Sequence, residues 1–461
     1  MQKNISVKIG QKFPLTIKRL GINGEGIGYF KRKIVFIPEA LPQEIVTAEA
    51  TTVNKNYINA KLRTIRQKSP QRVIPKDRDV FGKVGGIELE DLAYSAQLTF
   101  KTDVIKQSLV KFKPFHYQDY KIKPTIGMQN PYYYRNKAQF QVKRLPNGKV
   151  IAGLYAPNSH HLIDLKTLAT QSLATMHAIR TIVDIFQQLD TPIYDEKHNS
   201  GVIRTIIIRE ALATKQLQVT LVTHTETIPR QEQLITLIQN KLPHVVSIMQ
   251  NINPQKTSLV WGNETKLLAG QSQIREVINN YQYDLSARAF FQLNPHQTAK
   301  LYKIAADALM LNSQDILIDA YCGVGTLGIS MAKQVKAVYG MDIIPEAIND
   351  AKHNLTINHI SNAHYEVGTA EVVFDKWLKA GLHPTALIVD PPRTGLDDKL
   401  IQSIIKTAPQ KFVYVSCNPS TLARDLVKLA KIYHVDWIQS VDMFPQTARV
   451  EAVVKLSLLN N

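Results

Sequence analysis

The 461-residue chain contains two cysteines, Cys322 and Cys417, and that scarcity excludes a good deal. Two thiols build no disulfide framework, and they are too few for a zinc or iron–sulfur site held by cysteine, so no metal site is expected. No apolar run approaches the ~20 residues that a membrane-spanning helix needs. The first residues, Met1-Gln2-Lys3-Asn4-Ile5-Ser6, lack the apolar core and small-residue cleavage site of a secretory signal. A cytoplasmic protein without membrane contact is therefore expected. There is no internal repeat and no low-complexity tract, and nothing calls for an obligate protein partner. Acidic residues are scarce in one part only: residues 1–70 carry 13 Lys/Arg against 4 Asp/Glu, whereas residues 281–461 carry 17 of each. The net charge of +18 thus lies upstream of a neutral C-terminal part. That distribution fits a polyanion, and nucleic acid is favoured over an anionic membrane because no basic amphipathic helix or lipidation signal accompanies it.

A chain of this length exceeds what one core fills, so two or three domains are expected. Residues 1–70 read as short strands (Phe13 to Ile17, Lys33 to Ile37, Glu44 to Ala50) around the Gly-rich Gly21-Ile22-Asn23-Gly24-Glu25-Gly26-Ile27-Gly28. This spacing predicts a small OB-like β-barrel, and Tyr29, Phe30 and Lys31-Arg32-Lys33 beside the glycines suit RNA. Residues 71–280 combine a linker bracketed by Pro70 and Pro75, an amphipathic helix between Leu92 and Phe112, and a β-rich central region. Pro146-Asn147-Gly148 predicts a hairpin turn there. The tract Tyr132-Tyr133-Tyr134-Arg135-Asn136-Lys137 suits either base stacking or packing within its own domain. His160-His161 has no third partner in the pattern and reads as structural or RNA-facing. From residue 281 helices alternate with apolar strands, which predicts an α/β, Rossmann-like doubly wound sheet.

The chemistry is concentrated in that last region. Strand Ile316 to Asp319 runs into Tyr321-Cys322-Gly323-Val324-Gly325-Thr326-Leu327-Gly328, with Asp342 about 20 residues on, where an acid can hold a ribose. The loop implies an adenosine-containing ligand, either NAD or S-adenosylmethionine (SAM). Leu387-Ile388-Val389-Asp390-Pro391-Pro392-Arg393 is a strand ending in an acid and two prolines, which has no place in a dehydrogenase fingerprint. One strand later, Val413-Tyr414-Val415-Ser416 delivers Cys417 to a carboxyl end, where ligands sit in open α/β sheets.

Taken with Phe290-Phe291-Gln292-Leu293-Asn294-Pro295, Ser416-Cys417-Asn418-Pro419-Ser420-Thr421, Asp442-Met443-Phe444-Pro445-Gln446-Thr447 and Val450-Glu451, these motifs resemble the RNA 5-methyluridine (uracil-C5) methyltransferase family. The basic barrel resembles the TRAM domain of its 23S ribosomal-RNA members. The resemblance implies a TRAM barrel at 1–70, a central RNA-binding domain at 71–280 and a SAM-dependent catalytic domain at 281–461. It implies SAM binding by Gln292, Tyr321, Asp342 and Asp390, beside the loop glycines Gly323 and Gly325, with Cys417 as nucleophile and Glu451 as base. Asp342 stands where most relatives have glutamate, and Arg449 where a histidine is usual. Val84 and Ile87 occupy positions of two iron–sulfur cysteines found in many relatives. The cluster is expected to be absent, with apolar packing supporting the loop instead. Transfer RNA is the alternative substrate. An NAD-dependent dehydrogenase leaves Cys417 and the basic barrel without a role, and a non-catalytic RNA-binding protein leaves Asp390, Cys417 and Glu451 unexplained.

Overall fold

The computed structural model describes residues 7–459. Strands Lys12–Leu20, Gly26–Phe30, Lys33–Ile37, Ile45–Val53 and Tyr57–Gln67 close into a barrel. Alternation in the first strand sends Phe13, Leu15 and Ile17 inward, where they meet Val35, Val46 and Ile58. Lys31 and Arg32, at φ of 49° and 66°, form the two-residue turn of a hairpin, a left-handed pair usually left to Asn and Gly. The chain accepts that strain and displays two cations at the tip.

The central region holds a seven-stranded sheet in the order Glu264–Gly270, Val245–Ile252, Leu217–Thr223, Ile203–Glu210, Lys137–Arg144, Val150–Tyr155, Leu162–Asp164. The expected hairpin is there, Lys137–Arg144 pairing antiparallel with Val150–Tyr155. Helix Leu173–Gln188 packs Met176, Ile179, Val183 and Phe186 into the sheet's core.

The C-terminal sheet has eight strands, in the order Ala363–Val367, Ala337–Asp342, Ile316–Ala320, Ala386–Val389, Lys411–Ser416, Glu451–Leu458, Tyr433–Val441, Ile122–Ile126. Only Glu451–Leu458 runs against its neighbours. This is a Rossmann-like sheet with helices on its faces. The eighth strand lies far upstream in the chain, within 71–280, and so does helix Tyr94–Phe112, which packs on helix Pro419–Leu429. No local pattern announces this, because a five-residue strand containing Pro124 is recognised only by its partner some 315 residues later. The 281 boundary likewise falls at the turn of a hairpin, Gln273–Ile278 with Tyr281–Ser286. Among the described residues no helix is long and apolar enough to cross a membrane.

Candidate active site

Strand order reverses between Ile316–Ala320 and Ala386–Val389, and their carboxyl ends open a crevice at that switch point. The loop after the first strand turns through left-handed conformations at Tyr321 (φ 67°), Gly323 (54°) and Gly325 (82°). A Cβ on Gly323 would meet nothing within 4 Å, so the loop faces open space. Asp342 ties the loop down, its carboxylate accepting from the Gly323 N–H at 3.0 Å and the Ile344 N–H at 2.9 Å. Asp319, buried below, accepts from the Gly328 N–H at 2.8 Å, and burial pushes its carboxyl up to about 7. Tyr321, Ile343, Ala370 and Pro392 line a cavity of about 670 Å³, within the range for a small-molecule ligand. Glu371, Asp397, Asp398, Arg424 and Lys428 share its lining, so apolar surface and groups of both charges meet there.

Asp390 follows Ala386–Val389, and its backbone N–H bonds to the Ala320 carbonyl at 3.3 Å. Its carboxyl is pushed up to about 7 by burial, and further by the charge of Asp319. Gln292 is buried just before the Asn294 cap of helix Pro295–Leu309. Asn136 of the central region holds this segment, donating to the Gln292 and Leu293 carbonyls at 3.4 and 2.9 Å.

The thiol and the proposed base share one corner of the sheet. Ser416 pairs with Ala452 across antiparallel strands, so the next residues outward, Cys417 and Glu451, stand side by side. Cys417 is partly buried, with Sγ 3.9 Å from the Pro391 carbonyl. Burial pushes the thiol up to about 11; the carboxylates of Glu451 and Asp390 add to this and the Arg393 guanidinium opposes it. Its turn is built locally. Asn418 caps helix Pro419–Leu429 by accepting from the Ser420 N–H at 3.1 Å, and donates to the Arg393 carbonyl at 2.9 Å. Glu451 is buried, and its carboxyl is pushed up to about 8 by burial and then by Asp390, with Lys101 and Arg393 opposing. Cys322 is buried in the core behind the glycine loop, its thiol pushed well up by burial.

The structure therefore brings Cys417, Glu451 and Asp390 within one another's fields, and sets Tyr321, Asp342, Gly323 and Gly325 along the crevice. The pattern missed Arg393 as the cation beside the thiol, and Lys101 near Glu451. Lys101 left a signal: with Gln97 and Ser108 it puts polar side chains on the buried face of an otherwise apolar helix.

A second cavity, of about 520 Å³, lies where the linker, the central region and the catalytic sheet meet. Glu88, Arg135, Tyr155, Arg393, Phe444 and Arg449 are among its lining residues, so three arginines and one glutamate border one cleft. The tyrosine tract divides. Tyr134 is buried and donates to the Pro445 carbonyl at 2.9 Å, while Lys76 Nζ lies 4.6 and 4.4 Å over the rings of Tyr132 and Tyr133. Val84 and Ile87 are buried in the central core beside Leu165 and Leu168. His160 is exposed, 3.5 Å from Glu196, and no cluster of metal-ligating residues occurs among the described residues.

Comparison with known proteins agrees with this architecture. Residues 93–458 match the tRNA (Uracil-5-)-methyltransferase family, and residues 6–62 match the TRAM domain. An RNA methyltransferase of Lactiplantibacillus plantarum is 57% identical over 98% of this chain and 94% of its own length. One from Enterococcus faecalis is 51% identical over 98% of both. Among solved structures, the Pyrococcus abyssi tRNA (uracil-54, C5)-methyltransferase in complex with S-adenosyl-L-homocysteine aligns with a TM-score of 0.77 and 26% identity, over 96% of this chain and all of that one. With these matches the protein is a SAM-dependent RNA methyltransferase, and the chain belongs to the tRNA (uracil-5-)-methyltransferase family.

Proposed function

We propose that the enzyme methylates C5 of uracil in 23S ribosomal RNA, with Cys417 as nucleophile and Glu451 as base. The observation that carries this reading is the register that sets Cys417 beside Glu451, next to Asp390 at the crevice mouth. C5 of uracil is too weak a nucleophile to take a methyl group unaided. Attack of the Cys417 thiolate at C6 forms a C–S bond and moves the ring electrons towards C5, which then takes the methyl group that the cofactor supplies. Glu451 removes the C5 proton, the double bond reforms, and the C–S bond breaks to release the thiolate.

Arg393 gives the thiolate a counter-charge, against the burial and the two carboxylates that keep the free thiol protonated. Gln292, Tyr321, Asp342 and Asp390, with the backbone at Gly323 and Gly325, hold SAM. Target RNA enters the arginine-lined cleft and presents a uridine from a loop or bulge, where unstacking costs least. The barrel (1–70) and central domain (71–280) grip RNA, and residues 281–461 carry the reaction. Val84 and Ile87, at positions where many relatives carry cluster cysteines, lie in the apolar core, which supports a loop held without an iron–sulfur cluster.

The likeness of residues 1–70 to the TRAM domain of 23S ribosomal-RNA members supports ribosomal RNA. A barrel by itself supports RNA of either kind, since the match to the Pyrococcus transfer-RNA enzyme spans 96% of this chain. Transfer RNA is the second reading, favoured by the full-length likeness to the Pyrococcus enzyme. Mapping 5-methyluridine in ribosomal and transfer RNA from cells lacking the protein separates them. Loss of a site in 23S RNA is expected. Loss in transfer RNA alone selects the second reading, and an unchanged 5-methyluridine map in both overturns the assignment.

A further inference from the structure

The segment that leads into Glu451 is held more fully than any ordinary surface loop. Five consecutive carbonyls, from Asp442 to Gln446, each receive a hydrogen bond from a different residue, the first two from one capped helix and the rest from three other parts of the chain. Gln297 Nε2 donates to Asp442 O (3.0 Å), Asn294 Nδ2 to Met443 O (3.0 Å) and Lys101 Nζ to Phe444 O (2.9 Å). Tyr134 Oη donates to Pro445 O and the Leu89 N–H to Gln446 O, both at 2.9 Å. A loop normally leaves such groups to water.

One helix supplies a disproportionate share of the side-chain restraint. On Tyr94–Phe112, Tyr94, Gln97 and Lys101 recur at spacings of three and four, so they share a face. All three reach the same loop. Tyr94 Oη donates to Asp442 Oδ2 at 2.9 Å, and Gln97 exchanges bonds with the Gln446 side chain (2.8 Å) and its N–H (3.0 Å). Lys101 Nζ donates to Asp442 Oδ1 at 2.5 Å, and both members of that ion pair are fully buried. On the other side the barrel closes in. A Cβ on Gly24 would come within 3.3 Å of Ala448 and 2.9 Å of Leu89. Asp442 directly follows Val441, the cross-strand partner of Glu451. The buried pair thus sits one residue beyond the cross-strand partner of Glu451, on the flank opposite Cys417.

Replacing such an ion pair with apolar groups often costs a protein nothing in stability, so stability alone gives little reason for its presence. We propose that Lys101 is a positioning residue for proton abstraction: by clamping Asp442 and the Phe444 carbonyl, it sets the carboxylate of Glu451 opposite Cys417. This rests on the assignment of Cys417 and Glu451 above. Lys101 is fully buried, so it acts through the loop and through its charge, which opposes the upward shift of the Glu451 carboxyl. Its effect falls on the step after methyl transfer, when the C5 proton must leave. Attack by Cys417 depends on a different turn and is spared.

Lys101→Met tests this, together with Lys101→Met/Asp442→Asn, which leaves no unpaired charge buried and keeps the test valid should the single variant fail to fold. Lys101→Arg serves as the conservative control. Each is given RNA with ordinary uridine and with 5-fluorouridine, whose fluorine a base cannot remove. The expected result is turnover on uridine RNA reduced by about 100-fold, the scale of a small misplacement. KM for RNA should fall with turnover, because methylated protein–RNA adduct should accumulate on uridine RNA ahead of the slowed step. The rate of adduct formation with 5-fluorouridine RNA should stay within about threefold of the parent, a change of less than 1 kcal/mol. Lys101→Arg should recover part of the turnover. Equal losses in turnover and trapping, or unchanged turnover in both Met variants, would overturn the proposal. Failure of the parent enzyme to trap 5-fluorouridine RNA would instead strike the assignment of Cys417 itself.

Discussion

Cys417 and Glu451, the proposed nucleophile and base, stand side by side, yet they are held in opposite ways. Cys417 sits on a turn secured by near neighbours: Asn418 with Ser420, and Asn418 and Thr421 with the Arg393 carbonyl. The loop before Glu451 is secured from more than 300 residues away, by Tyr94, Gln97, Lys101 and Tyr134. A thiol that must attack, carry a ring and leave is served by a compact turn on the end of a strand. A base that must meet one proton on one face of an adduct is served by a scaffold. The catalytic corner is therefore complete only when the linker helix and the central region have docked on the sheet.

The sharpest way to separate the two sides is to remove each group. Cys417→Ala should lower methyl transfer by more than about 10⁴-fold, as loss of a covalent nucleophile does elsewhere. It should leave the melting temperature within a few degrees. Glu451→Gln should cost about 10²–10⁴-fold in turnover, the usual worth of a positioned base. Unlike Cys417→Ala it should accumulate adduct on ordinary uridine RNA, detectable as a slow-migrating band under denaturing conditions. Rapid turnover in that variant would mean that another group takes the proton.

The base side also carries a pH signature. The Glu451 carboxyl is raised from 4.5 to about 8, so the folded, ligand-free protein holds that proton more tightly than the unfolded chain. This contribution to stability is fully present below pH 4.5 and is lost as pH rises through about 8. Glu451→Gln should therefore be more stable than the parent at pH 8, by several kcal/mol at about 1.4 kcal/mol for each tenfold change in proton affinity. The two should converge near pH 4.5 in urea titrations, and a constant gap across that window would contradict the buried, proton-holding base.

Smaller effects test the supports. Ile87→Ala empties part of the apolar packing beneath the linker loop and should cost about 2–5 kcal/mol in denaturant unfolding. Because Leu89 bonds the base loop from the same segment, the variant should also slow turnover more than trapping. On the nucleophile side, Asn418→Ala removes a helix cap and should cost about 1 kcal/mol. Any kinetic change there should slow trapping and turnover together.

The same contrast explains how much the sequence discloses. The barrel, the hairpin at Pro146-Asn147-Gly148 and the α/β rhythm follow from alternation and turn residues a few positions apart. Cys417, Asp390 and the glycine loop are visible because each ends a recognisable strand. The supports of Glu451 are not, since Lys101 and Asp442 are 341 residues apart and only the folded sheet joins them. Strand Ile122–Ile126 was hidden for the same reason. Arg393 lay within a visible motif, but its role beside the thiol depends on how two neighbouring strand ends meet.

The most direct test of the central claim is to incubate the enzyme with SAM bearing a labelled methyl group and RNA containing 5-fluorouridine, digest the adduct, and sequence the modified peptide. The account expects one cross-linked peptide, joined through Cys417 to a nucleotide that carries the labelled methyl. An adduct through Cys322, an adduct without the methyl group, or no adduct at all would contradict it.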